Sequence, residues 1–303
     1  MLGYAAVMTV MTAHESFIEI RGLTHRVLRW GPSGEMPWVL LHGFQDCADT
    51  FQFLVDELPK DWSCIALDWR GFGGSAHVSG PYWFPDYLAD LDALLEVVSP
   101  ARPVGLIGHS MGGNIAGLYA GLRPARVSRL VSLEGFGLKR VAPEHAPDRY
   151  IEWMDAVREG PRHARYESPE VLAAGLQRRH PRLAAERARF IAQVWTRPLE
   201  EGGCVLAFDP WHRLINPVLY RREEAEACWR RVEAPVLLLL GSESEYRRRL
   251  EADGDIDSFQ RCFRHLRVHD LQGLGHLLHH EDPALVAELI RDFAGESLPT
   301  GRR

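Results

Sequence analysis

At 303 residues, with 46% hydrophobic and 25% charged residues, the chain has the composition of an ordinary globular protein, which excludes a disordered or fibrous one. Its 35 Lys and Arg against 41 Asp and Glu give a formal net charge of -6 at pH 7, so it lacks the basic surplus of a nucleic-acid-binding protein. A chain of this length can bury a large core, and we expect one main unit with one insertion.

The cysteines and the N-terminal segment bear on location. Five cysteines are scattered without a C-x-x-C pair, which argues against a disulfide framework and favours a reducing, cytoplasmic compartment. The N-terminal segment has no Lys or Arg before Arg21 and no long apolar run, so we expect neither a secretory signal nor a membrane span. Met8 and Met11 follow closely and leave the start codon open.

The first part of the chain predicts strands and helices in alternation. Apolar and polar residues alternate around a glycine from Phe17 to Trp30, which predicts an antiparallel hairpin. Helical spacing of apolar residues follows in Thr50 to Leu58 and in Tyr87 to Val98. These helical segments alternate with short apolar runs that indicate buried parallel strands: PWVLLHG, CIALDWRGFG, VGLIGHS and LVSLEG.

The pattern changes after Leu138. The next stretch is rich in Arg, Glu and Ala with scattered tryptophans, until EAPVLLLLG at Glu233 to Gly241 predicts a strand again. A helix at Phe259 to Phe263, a strand at Leu266 to Leu271 and a final helix at Pro283 to Phe293, capped by Asp282, complete the prediction.

These elements together predict an α/β fold. We expect a mostly parallel central sheet of about eight strands with helices on both faces and a helical cap insertion. The core domain comprises residues 1–137 and 232–303, and the cap, or lid, comprises residues 138–231.

One serine stands between the third parallel strand and the helix after it. In GHSMG, Gly108 and Gly112 leave room for an immediate turn from strand into helix, with Ser110 at its apex. There the helix N-terminus favours a developing negative charge. Upstream, the backbone N–H after His42-Gly43, that of Phe44, could join that of Met111 to hold an oxyanion.

A histidine is expected to complete this arrangement. GLGH, residues 273–276, places His276 after the last strand and before the terminal helix. With HGF, D-x-R-G-x-G-x-S at residues 68–75, GHSMGG and G-x-G-H in this order, the chain resembles the α/β-hydrolase family, as a serine-nucleophile, esterase-like member. The resemblance covers everything except the insertion.

The resemblance implies a Ser-His-acid triad with Ser110 as nucleophile, His276 as base, and the N–H groups of Phe44 and Met111 as the oxyanion hole. It also implies an Asp three positions after Gly241, where this sequence has Ser244. Glu134, which ends an apolar strand, is the favoured acid, since a buried carboxylate needs a partner there. Glu243 is the alternative, followed by Glu245.

The remaining motifs and side chains are not assigned a catalytic role. No metal-ligand set such as H-E-x-x-H and no dinucleotide fingerprint occurs, so we assign neither metal nor cofactor. His42 and His109 are interpreted as structural, His279 and His280 as helix-entry residues, and Asp68 as a loop brace. Five residues of the insertion are candidates for an apolar acyl pocket: Trp153, Met154, Trp195, Phe208 and Trp211.

The sequence therefore favours a serine hydrolase that cleaves carboxylic esters through an acyl-enzyme, with a small-molecule acyl substrate and no nucleic-acid partner. Thioesterase, lactonase and carbon-carbon bond hydrolase activity on the same triad are alternatives. An alternative from another class is a non-catalytic small-ligand-binding protein that kept the fold. No prediction is made for the oligomeric state.

Overall fold

A computed structural model describes residues 10–33 and 37–296. Most of the segment on which the signal-peptide and start-codon expectations rest, residues 1–9, lies outside the described residues. The strands are β1 (His14–Ile20), β2 (Leu23–Trp30), β3 (Trp38–Leu41), β4 (Cys64–Leu67), β5 (Val104–His109), β6 (Val127–Leu133), β7 (Arg165–Tyr166), β8 (Thr196–Pro198), β9 (Cys204–Leu206), β10 (Val236–Gly241) and β11 (Leu266–Leu271).

Helices lie between most of these strands. They are α1 (Gln52–Glu57), α2 (Phe84–Val98), α3 (Met111–Leu122), α4 (Ala146–Glu159), α5 (Pro169–Arg179), α6 (Ala185–Val194), α7 (Arg222–Trp229), α8 (Glu245–Arg248), α9 (Ile256–Gln260), α10 (Leu278–Glu281) and α11 (Pro283–Gly295). None of the helices within the described ranges is both long and apolar enough to cross a bilayer.

Eight strands form the central sheet, in the order β1-β2-β4-β3-β5-β6-β10-β11. β1 and β2 are antiparallel, as the alternating pattern predicts, and β2 is antiparallel to β4. All further neighbours are parallel. The fold class is confirmed, and the carboxyl ends of β3, β5, β6 and β10 meet at one edge of the sheet.

The core lies on both faces of this sheet because successive strand residues point to opposite sides. Leu106 packs in the cluster that contains Leu94 of α2 and Ile115 of α3. Its neighbour Ile107 packs in the cluster on the other face, with Leu54 of α1 and Ile290 of α11, among others. Burial on both faces explains why these strands read as continuous apolar runs.

The segment between β6 and β10 contains α4 to α7 and also a small antiparallel sheet of β7, β9 and β8. The sequence analysis expected helices alone in this insertion. These strands are only two or three residues long, so they carry no readable alternation. The β8–β9 hairpin turns through Gly202 and Gly203, which both have positive φ.

Candidate active site

Ser110 lies at a sharp turn between β5 and α3. Its φ of 51° and ψ of -115° are unusual for a residue other than glycine, and its N–H donates to the carbonyl of Leu133 at 2.8 Å. A Cβ on Gly108 would lie 2.5 Å from the carbonyl oxygen of Gly112. The glycines of the motif are therefore needed because strand and helix backbones touch here.

His276 reaches the serine from the loop after β11. Its Nε2 lies 3.0 Å from Oγ of Ser110, although 166 positions separate the two residues. The imidazole is largely buried, and the ring of Tyr246 lies 4.3 Å from it between centroids. The sequence analysis missed Tyr246, which no local pattern connects to His276.

Glu134 contacts the other side of the imidazole. Its Oε2 lies 3.0 Å from Nδ1 of His276, and its side chain is fully buried at the end of β6. With the proton on Nδ1 donated to the carboxylate, Nε2 is free to accept the proton of Ser110. Glu134 has a φ of 58°, a left-handed conformation that the chain adopts where β6 ends.

Two further donors hold the carboxylate of Glu134. The N–H of Gly241 donates to Oε1 at 2.7 Å, and the hydroxyl of Ser244 donates to Oε2. Ser244 occupies the position where the family resemblance implies an acid, and it is buried. The sequence analysis did not foresee this role; a serine before Glu245 suggests a helix N-cap, which Ser244 also is for α8.

The alternative acids lie elsewhere. The side chain of Glu243 is 63% exposed and lies 3.5 Å from Arg248. That of Glu245 is 70% exposed and lies 3.7 Å from Arg249. Of the three carboxylates that the sequence left open, Glu134 is the one in contact with His276.

Burial shifts the pKa values of both Glu134 and His276. It raises the pKa of Glu134 to about 7, while the hydrogen bonds from Ser244 and Gly241 oppose the rise. It lowers the pKa of His276 to about 4, and the charge of His180 acts in the same direction. A neutral imidazole is therefore the favoured resting form, and a neutral imidazole is what a general base requires.

The candidate oxyanion donors belong to the loop after β3 and the start of α3. A Cβ on Gly43 would lie 3.2 Å from Cβ of Ser110, which places the backbone just before Phe44 beside the serine. A Cβ on Gly112 would lie 2.0 Å from the carbonyl oxygen of Leu41. The N–H groups of Phe44 and Met111 have no hydrogen-bond acceptor among the described residues.

The residues interpreted as structural are well connected. His42 accepts a hydrogen bond from the N–H of Trp69 at 3.1 Å, and Asp68 accepts from the N–H groups of Ala48 and Gly74 at 2.6 and 2.9 Å. His279 and His280 lie in the short helix α10, directly before α11, and both are completely buried.

The five candidate pocket residues are placed differently. The ring of Phe208 packs against those of Phe44 and Phe72, with centroids about 6 Å apart. The indole N–H of Trp195 donates at 2.7 Å to Asp46, which lies in the loop after β3 that also carries Phe44. Trp211 lines a surface depression of about 660 Å³ together with Val78 and Pro161, among others. In α4, Trp153 is half-buried and Met154 is exposed.

A family model described as alpha/beta hydrolase fold matches residues 37–283. A serine hydrolase-like protein of Danio rerio is 29% identical over 281 residues, covering 89% of this chain and 85% of that protein. Esterase YbfF of Escherichia coli strain K12 is 26% identical over 266 residues, covering 86% and 93%. Among solved structures, a thioesterase domain from the curacin biosynthetic pathway has a TM-score of 0.80 at 24% identity, covering 92% and 99%.

Proposed function

Because this chain belongs to the α/β hydrolase fold family, we propose that it is a serine hydrolase that cleaves carboxylic esters through an acyl-enzyme. The observation that carries the proposal is the continuous contact from Ser110 Oγ through the His276 imidazole to Glu134, with 3.0 Å at each step. Similarity to an esterase and to a serine hydrolase-like protein supports the reaction class.

Acylation begins as Oγ of Ser110 bonds to the acyl carbon of the ester. The serine proton passes to Nε2 of His276, and the negative charge of the tetrahedral intermediate falls on the former carbonyl oxygen. The N–H groups of Phe44 and Met111 donate to that oxygen, and one such donor typically stabilises the transition state by about 3–4 kcal/mol. His276 then gives its proton to the leaving alcohol.

Deacylation repeats these steps with water. His276 removes a proton from the water as its oxygen bonds to the acyl carbon, and the proton then passes to Oγ of Ser110, which restores the free enzyme. Glu134 stays ionised and stabilises the imidazolium that forms twice in each cycle. The hydrogen bonds from Ser244 and Gly241 orient this carboxylate.

Residues 138–231 are the proposed cap of this site, with residues 1–137 and 232–303 as the core domain. Support comes from two contacts on the loop after β3, which carries the oxyanion donor Phe44. Phe208 packs on the Phe44 ring, and Trp195 holds the carboxylate of Asp46 two residues further on. An apolar acyl group bound beside Phe44 would meet the cap at Phe208.

Replacing the proposed nucleophile tests this function. We expect Ser110→Ala to lower the turnover of a p-nitrophenyl ester by about 10⁴-fold or more. A fluorophosphonate probe should label the wild-type chain at one site per molecule and leave the variant unlabelled. Ser128→Ala, near the start of β6 and so at the end of the sheet opposite Glu134, is the control and should keep both activity and labelling.

Labelling of Ser110→Ala equal to that of wild type would reject the proposal. An inert serine in a wild-type chain that binds small molecules tightly would favour the non-catalytic alternative. Thioester, lactone and ketone-flanked carbon-carbon substrates, assayed beside esters of graded acyl length, identify the bond that this site cleaves fastest.

A further inference from the structure

Three buried side chains converge behind the candidate active site. Asp46 follows β3, and His279 and His280 lie in α10; all three are less than 5% exposed. One potential ligand atom of each, a carboxylate oxygen or a ring nitrogen, lies within 4.8 Å of the others. None of these residues belongs to the proposed triad or oxyanion hole.

Five polar atoms of this cluster form no hydrogen bond among the described residues. Oδ2 of Asp46 and both ring nitrogens of His279 and His280 are buried and form no hydrogen bond with any described residue. Buried polar atoms are nearly always paired, since an unpaired one keeps the full cost of its desolvation. Five such atoms in one place therefore indicate a bound group.

The carboxylate of Asp46 is oriented for such a group. Its Oδ1 accepts three hydrogen bonds, from the N–H of Cys47 at 2.8 Å, the hydroxyl of Thr50 at 2.8 Å and the indole N–H of Trp195 at 2.7 Å. Its Oδ2 faces Nε2 of His280 at 3.9 Å. Outer hydrogen bonds that fix one oxygen and leave the other bare are typical of a metal-binding carboxylate.

We propose that Asp46, His279 and His280 bind one divalent transition-metal ion, with Zn²⁺ as the best-matched ion. Two imidazoles and one carboxylate are ligands that Zn²⁺ accepts, and three protein donors leave one coordination position for a further ligand. Since the donors are buried, the ion enters as the chain folds or during local opening.

A second group of donors nearby does not have these properties. Cys47, Asp49 and Asp68 also lie within ligand distance of one another. However, Arg26 forms ion pairs with both carboxylates, at 2.6 and 3.1 Å. Its carboxylates already have a cationic side chain as partner, so it serves as an internal comparison.

The metal would join two loops of the proposed active site. Asp46 is two residues from Phe44, and His279 is three residues from His276. The ion would therefore hold the loop of the oxyanion donor against the segment of the base, and its role would be structural. Zn²⁺ binding at this cluster is independent of the proposed ester cleavage, because it is measured as metal content.

The experiment uses the full-length chain, stripped with a chelator and then dialysed against Zn²⁺. We expect one Zn²⁺ per chain and a higher Tm in its presence, because a ligand bound only by the folded state stabilises it. Asp46→Asn, His279→Gln and His280→Gln should each weaken Zn²⁺ binding by roughly 10–100-fold or more. Co²⁺ in the unmutated chain should give the visible absorption of a His and carboxylate site.

Three control variants separate the cluster from other donors. His25→Gln removes another buried imidazole beside a carboxylate, and Cys47→Ser alters the comparison group. His276→Ala removes the proposed base. All three variants should bind Zn²⁺ like wild type. Binding that persists in the three cluster variants, or is lost only with Cys47, would overturn the proposal. So would a wild-type chain that takes up no Zn²⁺ and shows no Co²⁺ absorption.

Discussion

Oε2 of Glu134 is shared between two donors, Nδ1 of His276 and the hydroxyl of Ser244. The hydroxyl after β10 and the ring nitrogen of His276 thus meet at one carboxylate oxygen, at the end of β6. Glu134 follows β6, whereas Ser244 follows the neighbouring strand β10. Ser244 occupies the position of the implied acid but carries no charge.

The identity of the acid can be tested by paired substitutions. Glu134→Gln removes the charge that stabilises the imidazolium, so kcat should fall by about 10⁴-fold, as for other triads that lose the carboxylate. Glu243→Gln, which alters a 63% exposed side chain, should stay within about twofold of wild type because exposed charges are screened. The measurement is kcat on a p-nitrophenyl ester.

A deep loss in the Glu243 variant with a mild effect at Glu134 would reassign the acid. Circular dichroism of both proteins shows that a loss is not caused by unfolding.

The coupled pair also predicts a pH dependence. The form with a charged Glu134 and a neutral His276 binds fewest protons. Burial raises the pKa of Glu134 to about 7, so this form accumulates as the pH rises through that value. We expect kcat/KM to fall as the pH is lowered through that value. Ser244→Ala removes a hydrogen bond to the charged carboxylate, so the pKa of Glu134 should rise further and the acid limb should move to higher pH.

The pH profile of kcat/KM checks this expectation, with Ser128→Ala, near the start of β6, as the control. An acid limb that stays in place in Ser244→Ala would show that the hydroxyl does not act on the ionisation of Glu134.

Among the elements, helix α3 packs so closely that two of its glycines lie against the backbone of neighbouring elements. A Cβ on Gly112 would lie 2.0 Å from the Leu41 carbonyl oxygen, and one on Gly121 would lie 1.9 Å from that of Cys228. Both neighbours are backbone atoms, which move only with their strand or helix. Gly112 thus lets the start of α3 lie directly on the end of β3, and Gly121 lets the end of α3 lie directly on α7.

Alanine at two glycines separates packing from helix propensity. Gly112→Ala should lower the free energy of unfolding by about 1–3 kcal/mol, because the added methyl group overlaps the backbone of β3. Gly175→Ala, in α5, meets only the Arg178 side chain at 3.7 Å and should raise the free energy of unfolding by about 0.5–1 kcal/mol. Urea unfolding of both variants measures these changes.

If Gly112→Ala were as stable as wild type, the backbone contact between α3 and β3 would be looser than described. A loss of stability in Gly175→Ala would contradict the ordinary helical environment of that glycine.

At the scale of the whole molecule, several hydrogen bonds join the insertion to the core, among them those of Asp209 with Tyr82, His212 with Tyr87 and Arg222 with the carbonyl of Asp253. One of them reaches the loop that carries Phe44. Trp195, at the end of α6, donates to the Asp46 carboxylate in the loop after β3. A hydrogen bond to a charged group contributes about 1.5–3 kcal/mol to stability. The contact therefore couples the proposed cap to the loop that carries Phe44.

Trp195→Phe tests this coupling because it keeps an aromatic ring and removes the donor. We expect the free energy of unfolding to fall by about 1.5–3 kcal/mol, and kcat/KM to fall as the Phe44 loop loses its support. Trp62→Phe is the matched control, because the Trp62 ring stacks on Trp38 at the start of β3, at the end of the sheet away from Ser110. Equal effects of the two substitutions would show that the Trp195 hydrogen bond has no special role.

Properties that depend on neighbours along the chain were determined by the sequence itself. The periodicity of apolar residues predicts the hairpin, the parallel strands and the helices of the core, and the structure has them within a few residues. The glycines around Ser110 predict the turn, since their clearance is a local requirement. The two- and three-residue strands of the insertion escaped prediction because so short a segment has no period.

Contacts between distant parts of the chain were decided by the tertiary structure. Glu134, Glu243 and Glu245 are equivalent as residue types, but strand order and the left-handed backbone at Glu134 bring only that one of the three to His276. The Ser244 hydroxyl and the unpartnered cluster at Asp46 were invisible for the same reason. A sequence pattern reports which face of an element a residue occupies, whereas sheet order and loop packing determine which distant atoms meet there.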